Sequence, residues 1–302
     1  MLDFAEITIN DKELFEQYLM FDNPQGSDIS FTNLFMWRNY YKFRYTIIEG
    51  LLCIISVPEG REPYALAPIG KINEYNFAST ITSLREYFLN AGWKFIFKKV
   101  EEKKIAYFKK YVQDEEDMIQ DRDNCDYVYK SEDLIYLKGK KYDGKRNHIN
   151  KFKKLYQYEY VPITEENIKG CYEIMGKWNK ERSSEEHKEY DSENSANSEL
   201  IINYGTMSCK GAFIKVDGKF EAFTIGEMLN NDTVVIHIEK ANSGINGLYT
   251  FINQQFCEHE WKEAIFINRE QDLGVEGLRK AKLSYNPVKL INKYTIILKE
   301  EK

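Results

Sequence analysis

The chain has 302 residues, of which 43% are hydrophobic and 30% charged, and its net charge at pH 7 is −6. These values are typical of a globular protein with one large or two ordinary domains, and they argue against a globally basic nucleic-acid binder and against DNA as a partner.

The five cysteines occur singly, without a CxxC pair, which favours a reducing compartment. The N-terminus does not resemble a signal peptide, and the longest apolar run, Leu51–Val57, is too short to span a membrane. A cytoplasmic protein without a transmembrane segment is expected.

In the first half of the chain, strands and helices alternate. The predicted elements are a strand at Asp3–Ile9, a helix ending near Phe21, a helix at Phe31–Tyr41, strands at Phe43–Ile48 and Leu51–Val57, a helix at Phe77–Leu89, a strand at Lys94–Val100, a helix at Lys103–Tyr111 and a strand at Tyr127–Tyr129.

A basic segment, Lys138 to Lys154, follows in an otherwise acidic chain. Positive charge of this density attracts polyanions through counterion release, so tRNA or an anionic lipid headgroup is a candidate partner. A linker helix with a solvated charged face is the alternative. The candidate polyanion contacts are Lys141, Lys145, Arg146 and Lys151.

The second half is predicted to contain one α/β domain with the order β-α-(α)-β-β-β-α-β-α-β. The turn Asp217-Gly218 is a strong hairpin signal between two of its strands. The predicted elements are a strand at Tyr158–Ile163, a helix at Glu165–Lys180, a long loop at Ser183–Ser198, a short helix at Leu200–Met207, strands at Gly211–Val216, Ala222–Met228 and Thr233–Lys240, a helix at Gly247–Trp261, a strand at Ala264–Asn268, a helix at Val275–Leu283 and a closing strand at Val288–Leu298.

Strand Thr233–Lys240 carries His237 and Glu239 on one face, because side chains alternate along a strand. A central strand between helices is usually apolar on both faces, so two polar residues require an explanation. One interpretation is a buried histidine and an ion-paired glutamate. The other is a general base with its orienting partner.

The loop after this strand, Lys240 to Gly247, is rich in small residues and precedes a helix. Such a loop exposes backbone N–H groups to a phosphate, a pyrophosphate or a carbonyl oxygen, although an ordinary glycine-containing turn explains it equally well. Two residues of the following helix, Cys257 and His259, do not share a helix face, so no metal site is predicted.

Charged residues also follow strand Ala264–Asn268. Ligands in α/β folds usually bind at the carboxyl ends of strands. Arg269 suits a carboxylate or phosphate, and an ion pair with Glu239 or Glu270 is the alternative. We expect the strands 233–240 and 264–268 to lie side by side and to part at their ends, which leaves a gap for a substrate carbonyl.

Several longer segments resemble the DUF2156 family, which is related to the C-terminal domain of phosphatidylglycerol lysyltransferases, and the resemblance covers almost the whole chain. The segments are Phe31–Phe35, Asp121–Tyr129, Leu137–Lys141 with Lys145–Asn150, His237–Asn242, Gly247–Tyr249, Asn268–Gly274 and Gly277–Pro287.

The resemblance implies an α/β (α+β) fold of two tandem GNAT-like (acyl-CoA N-acyltransferase) domains, each a mixed, largely antiparallel sheet flanked by helices, as in FemABX peptidyltransferases. The expected ranges are 1–137 for the first domain, 138–156 for a basic linker helix and 157–302 for the second domain, which carries the active cleft. The implied activity is acyl or aminoacyl transfer to an amine or hydroxyl, with aminoacyl-tRNA or acyl-CoA as the donor. The alternatives are a non-catalytic ligand- or RNA-binding module on a GNAT scaffold and a CoA-dependent N-acetyltransferase.

The predicted site combines these arguments. Ala281 and Tyr285 match the GNAT pattern Ala-x-x-x-Tyr. Tyr285 is therefore the candidate general acid. The alternative is that its ring only packs against Pro287. The glycine spacing of Lys240 to Gly247 departs from the GNAT pyrophosphate loop, which disfavours acetyl-CoA. The predicted catalytic residues are Glu239, His237 and Tyr285, and the predicted substrate-binding residues are Lys240, Asn242, Gly244, Asn246, Gly247, Tyr249, Asn268, Arg269 and Lys282.

Overall fold

The computed structural model describes residues 2–180 and 187–299. The chain forms two compact units. The first unit comprises Met1–Asp126, Gln271–Gly274 and Ile291–Lys302, and the second comprises Tyr127–Glu270 and Val275–Leu290. Each unit contains a seven-stranded sheet.

The first unit has a mixed sheet with the order β1-β2-β3-β4-β5-β14-β6, in which only β4 and β5 run parallel. Strand β3 is buried along its whole length because its sequence, LLCIIS, is apolar on both faces. The elements are β1 (Ala5–Glu6), α1 (Lys12–Asp22), α2 (Phe31–Met36), α3 (Arg38–Tyr41), β2 (Phe43–Ile48), β3 (Leu51–Ser56), β4 (Tyr64–Ala65), α4 (Glu74–Asn90), β5 (Phe95–Glu101), α5 (Ile105–Phe108), β6 (Met118–Gln120) and β14 (Lys293–Leu298).

The second unit is built on a mixed sheet with the order β13-β7-β12-β11-β10-β9-β8. The hairpin of β9 and β10 turns at Asp217 and Gly218, which both have positive φ as the sequence predicts. The elements are β7 (Asp126–Lys130), α6 (Ser131–Tyr136), α7 (Asp143–Leu155), β8 (Tyr158–Pro162), α8 (Gly170–Lys180), α9 (His187–Ile202), β9 (Lys210–Val216), β10 (Lys219–Met228), β11 (Thr233–Ala241), α10 (Leu248–Glu260), β12 (Phe266–Asn268), α11 (Glu276–Leu283) and β13 (Lys289–Ile291).

Strands β11 and β12 run parallel and pair only from Thr233↔Phe266 to Val235↔Asn268. Strand β12 ends there, whereas β11 continues to Ala241. The expectation that these two segments lie side by side is therefore confirmed, and their pairing stops at Asn268. On its other side β11 has a bulge, because Ile236 and Ile238 pair with adjacent residues of β10 and His237 has no partner in this register.

Three predicted elements are wrong. The expected short helix at Leu200–Met207 is instead the last turn of α9, which ends at Ile202, followed by turns. The expected loop at Ser183–Ser198 is helical from His187 onward, while its residues 183–186 lie outside the described chain. The helix forms because its second half buries a small set of residues that the polar composition conceals, namely Ala196, Asn197, Leu200 and Ile201.

The expected closing strand, Val288–Leu298, is two strands. Residues Lys289–Ile291 form β13, whereas β14 pairs with β5 in the first sheet, for example Lys293 with Glu101. Long-range pairing of this kind leaves no signal in local hydrophobic periodicity. Within the described residues, no helix has both the length and the apolar character needed to cross a bilayer.

Candidate functional site

An ion pair lies where β12 ends and β11 continues. Nη2 of Arg269 donates to Oε1 of Glu239 at 2.8 Å, and Nδ2 of Asn253, on α10, donates to Oε2 of the same carboxylate at 3.1 Å. Both side chains are largely buried, at 15% exposure for Arg269 and 13% for Glu239. The carboxylate therefore has a hydrogen bond on each oxygen and fixes the plane of the guanidinium.

The other end of the guanidinium lies beside the buried ring of Tyr285. Nη1 of Arg269 is buried and has no hydrogen-bond partner among the described residues. Its Cζ atom lies 4.8 Å from the centre of the Tyr285 ring. Burial alone would lower the pKa of Arg269, but the charge of Glu239 outweighs it and raises that pKa, so the guanidinium stays charged. A charged donor that is held rigidly and left unpaired is suited to binding an oxyanion.

Lys145 of α7 also contacts the ring of Tyr285. Its Nζ atom lies 3.7 Å from the centre of the Tyr285 ring. Burial and the nearby charge of Arg269 lower the pKa of Lys145 to about 8, although Glu239 acts in the opposite direction. A neutral amine is thus accessible near physiological pH. We call Lys145, Glu239, Asn253, Arg269 and Tyr285 the Arg269 cluster.

His237 belongs to a different set of contacts. Its Nε2 atom lies 3.0 Å from Oε1 of Glu227, and its Nδ1 atom lies 3.2 Å from Oε1 of Glu270. The imidazole is fully buried. Burial alone would lower its pKa, but the two glutamates outweigh burial and raise the pKa to about 9. The ring is therefore a cation between two carboxylates at neutral pH, and neither glutamate is Glu239.

Lys282 and Asn268 support the backbone beside Arg269. Nζ of Lys282 donates to the carbonyl oxygens of Arg269 and of Glu270, the latter at 3.2 Å. Oδ1 of Asn268 accepts from the Glu270 amide at 2.8 Å. Both side chains are buried, so their contacts set the position of Arg269.

Four backbone amides between the end of β11 and the start of α10 donate to acceptors in the protein. The Asn242 amide donates to the Glu221 carbonyl at 2.8 Å, and the Gly244 amide donates to Oδ1 of Asn242 at 2.9 Å. The amides of Ile245 and Leu248 also donate to carbonyls within the loop. Gly247, at φ +89°, lies so close to α7 that a Cβ atom there would be 2.5 Å from the His148 carbonyl oxygen. Asn246 contacts Nδ1 of His148 at 3.2 Å.

Lys240 lies in a neighbouring cluster. Its Nζ atom is 2.6 Å from Oε1 of Glu193 and 3.4 Å from the centre of the Trp178 ring. Nε1 of Trp178 donates to the hydroxyl of Tyr249 at 3.0 Å. The sequence places Lys240 and Tyr249 near a substrate, and the structure brings them together through Trp178.

The charged side chains of the basic segment, which includes nearly all of α7, make different kinds of contact. Arg146 donates to the carbonyl oxygens of Leu137 and Gly139 and pairs with Asp143, so its guanidinium holds the preceding loop. Lys141 lies 3.5 Å from Asp133, whereas Lys151 is exposed. Of the predicted polyanion contacts, Lys145 is the one whose ammonium group reaches the Arg269 cluster.

Three of the predicted site residues, Glu239, Arg269 and Tyr285, thus come together. Sequence reasoning missed Asn253 and the inward position of Lys145. A polar residue on the buried face of α10 was the available signal for Asn253, which is only 2% exposed. No sequence signal distinguishes Lys145 from the other lysines of its segment.

Comparisons with known proteins agree with this architecture. The family described as phosphatidylglycerol lysyltransferase, C-terminal, matches residues 22–297. A conserved protein of unknown function from Bacteroides thetaiotaomicron VPI-5482 is 34% identical, with a TM-score of 0.91 over 99% of this chain and 100% of that chain. No functionally curated protein matches.

Two more distant structures show the fold. L-PGS from Bacillus licheniformis is 17% identical, with a TM-score of 0.63 over 97% of this chain and 93% of that chain. A tandem GNAT protein from the clavulanic acid biosynthesis pathway is 9% identical, with a TM-score of 0.52 over 100% of both chains. The expected fold of two tandem GNAT-like domains is confirmed.

Proposed function

Because the chain belongs to the phosphatidylglycerol lysyltransferase C-terminal family, we propose that it is an acyltransferase that moves an aminoacyl group from aminoacyl-tRNA to a hydroxyl or amine. The observation that carries this proposal is the buried, unpaired Nη1 of Arg269 at the place where β11 and β12 part. An aminoacyl-tRNA donor would place the reaction in the cytoplasm, which agrees with the five free cysteines.

Arg269 is the proposed oxyanion donor. When a nucleophile attacks the ester carbonyl, negative charge develops on the carbonyl oxygen. Nη1 of Arg269 would donate to that oxygen, while Glu239 and Asn253 hold the guanidinium in place. Removal of one such preorganised donor typically costs about 100-fold to 1000-fold in rate.

Lys145 is the proposed proton carrier. Its neutral amine would accept one proton from the attacking hydroxyl or neutral amine as the new carbon–oxygen or carbon–nitrogen bond forms. The resulting ammonium would return the proton to the ribose oxygen as the old ester bond breaks, so protons balance over the cycle. A pKa of about 8 suits both steps, because catalysis is most efficient when the pKa is near the working pH.

The contacts of Glu239 support a positioning role for it rather than that of the base. Both of its oxygens accept hydrogen bonds, one of them from a guanidinium. His237 is likewise engaged on both ring nitrogens by Glu227 and Glu270. Lys145 has the proton affinity that the base requires.

An acyl-CoA donor is less well supported than an ester donor. Pyrophosphate binding by a GNAT-type loop needs free backbone N–H groups. The amides of Asn242, Gly244, Ile245 and Leu248 already have acceptors. The ribose ester of aminoacyl-tRNA does not require that loop. Exposed cations of α7 such as Lys151 would meet tRNA or an anionic lipid headgroup.

The test is a transfer assay with total tRNA charged with radiolabelled amino acids. Vesicles containing phosphatidylglycerol and a peptide with a free amine serve as acceptors in parallel reactions. We expect label to pass from tRNA to one acceptor with the wild-type protein and at least 100-fold more slowly with Arg269→Gln. Transfer that is equally fast in both proteins would contradict the role of Arg269. Binding of the charged tRNA without transfer would favour a non-catalytic binding module.

A further inference from the structure

The first unit contains an open cavity of about 230 Å³, and none of its lining residues belongs to the Arg269 cluster. Two tyrosine rings and three cationic side chains contribute to its wall. The lining residues used below are Tyr41, Arg61, Tyr64, Lys98, Lys99 and Asp121.

Lys98 and Lys99 both line this cavity although they are consecutive residues of strand β5. In a regular strand, neighbouring side chains point to opposite faces. The register of β5 with β14 shifts here, from Tyr294↔Val100 to Ile296↔Phe97, and Lys99 has φ +57°. A lysine in the left-handed region is strained, and strain of this kind is concentrated at functional sites. The bulge brings two adjacent cations to one cavity.

A buried charge network holds Lys99 in that conformation. Its Nζ atom contacts Oδ1 of Asp28 at 2.5 Å, and the other oxygen of Asp28 contacts Lys293. Lys293 also pairs with Asp126 at 2.5 Å, and both of these side chains are fully buried. Burial alone would raise the pKa of Asp28, but Lys293 and Lys99 outweigh it and lower that pKa. The network contains two lysines and two aspartates, so it is neutral and rigid.

The remaining charges of the lining leave an excess of positive charge. Glu62 pairs with Lys94 at 3.2 Å, whereas Asp121 accepts a hydrogen bond from Asn124 at 2.8 Å, which does not compensate its negative charge. Arg61 and Lys98 together carry two positive charges against this one negative charge. Lys98 lies 5.1 Å from the centre of the Tyr64 ring, and within the described residues it forms no ion pair.

The second cation without a carboxylate partner in the described chain is Arg61. Its guanidinium lies 4.4 Å from the Tyr40 ring and donates to the Tyr40 carbonyl at 3.1 Å. The aromatic contacts hold both cations at the cavity without neutralising them.

We propose that this cavity is a binding site for the phosphate or carboxylate group of a small molecule, with Arg61 and Lys98 as its charged contacts. Lys99 positions the strand so that Lys98 faces the cavity. The volume suits a molecule about the size of an amino acid or a small phosphate monoester. The proposed transfer reaction does not require this second site.

The experiment measures the binding of inorganic phosphate and of acetate to the full chain by titration calorimetry, at constant ionic strength set with sodium chloride. Three variants are compared with the wild-type protein: Arg61→Gln, Lys98→Gln and, as a matched control, Lys109→Gln, which removes an exposed cation of the same unit that does not line the cavity. Arg61 is exposed, so its substitution tests the site without disturbing the core.

We expect saturable binding of one anion to the wild-type protein and to Lys109→Gln, and at least tenfold weaker binding to Arg61→Gln and Lys98→Gln. Tighter binding of phosphate would identify a phosphate-bearing ligand, and tighter binding of acetate would identify a carboxylate. Binding that is unchanged in both cavity variants, or no binding of either anion above chloride, would overturn the proposal.

Discussion

The guanidinium of Arg269 donates to the carboxylate of Glu239 at 2.8 Å, from the residue that follows β12 to a residue of β11. The two strands have ceased to pair at this level, so side chains rather than backbone connect them. Glu239 fixes one end of the guanidinium, and the proposed function assigns the buried Nη1 atom at the other end to the substrate oxygen.

Substitution of Glu239 by Gln should reduce stability as well as transfer. A buried charge that loses its partner typically costs about 3 kcal/mol, and Arg269 would become such a charge. We expect urea denaturation to show a loss of this order in the free energy of unfolding. The double variant Glu239→Gln/Arg269→Met should recover a large part of the loss. A single variant that remains within about 0.5 kcal/mol of the wild-type protein would show that the pair is not buried as described.

Lys145 should react as an amine with a lowered pKa. Competitive acylation followed by mass spectrometry should show its labelling rising with a midpoint near pH 8, because burial and Arg269 disfavour the ammonium form. Lys151, exposed on the same helix, is the internal control. Removal of the neighbouring positive charge by Arg269→Gln should raise the midpoint, and Glu239→Gln should lower it. Identical labelling profiles for the two lysines would contradict the assignment.

The contacts of His237 with Glu227 and Glu270 predict that the free energy of unfolding depends on pH. The pKa of His237 is raised from 6.5 to about 9, so its contribution is fully present below pH 6.5 and is lost as the pH rises through 9. The change corresponds to about 3 kcal/mol. The stability difference between the wild-type protein and His237→Gln, measured by urea denaturation at pH 6 and pH 9.5, should shrink by an amount of this order. A constant difference across this range would mean that the imidazole does not carry a proton between Glu227 and Glu270.

A side chain at Gly247 should lower the stability of the protein for two reasons, the positive φ of this residue and its close approach to His148. Gly247→Ala would strain a backbone at φ +89° and place Cβ 2.5 Å from the His148 carbonyl oxygen. Gly218→Ala is the matched control, because φ is +81° there and no atom lies within 4 Å of the Cβ position. Both variants should lose about 1 kcal/mol from backbone strain, and Gly247→Ala should lose more. Equal losses in thermal unfolding would show that α7 and α10 do not approach so closely.

Much of this site could be predicted from the sequence. The alternation of Thr233–Lys240 and the charged residues after Asn268 predict Glu239 and Arg269 at neighbouring strand ends. Strand periodicity is a local property, and strands that follow one another along the chain are usually adjacent in a sheet. The hairpin at Asp217 and Gly218 followed from turn chemistry in the same way.

The rest depends on long-range contacts. Which lysine of the basic segment reaches Tyr285 is decided by how α7 packs, and the charge pattern alone does not show it. The sequence fits two partners of Arg269 equally well, a substrate carboxylate or phosphate and the carboxylate of Glu239 or Glu270, and only the three-dimensional contact distinguishes them. The bulge at Lys99 and the pairing of β14 with β5 likewise arise between segments almost 200 residues apart.

The proposed function depends most on Arg269, and a single-turnover transfer assay with radiolabelled aminoacyl-tRNA tests it directly. Arg269→Gln is compared with Arg44→Gln, which removes an exposed arginine from β2 of the first unit. We predict a rate at least 100-fold below wild type for Arg269→Gln and an unchanged rate for Arg44→Gln, with both variants folded by circular dichroism. Rates within threefold of each other would contradict the assignment of Arg269 as the oxyanion donor.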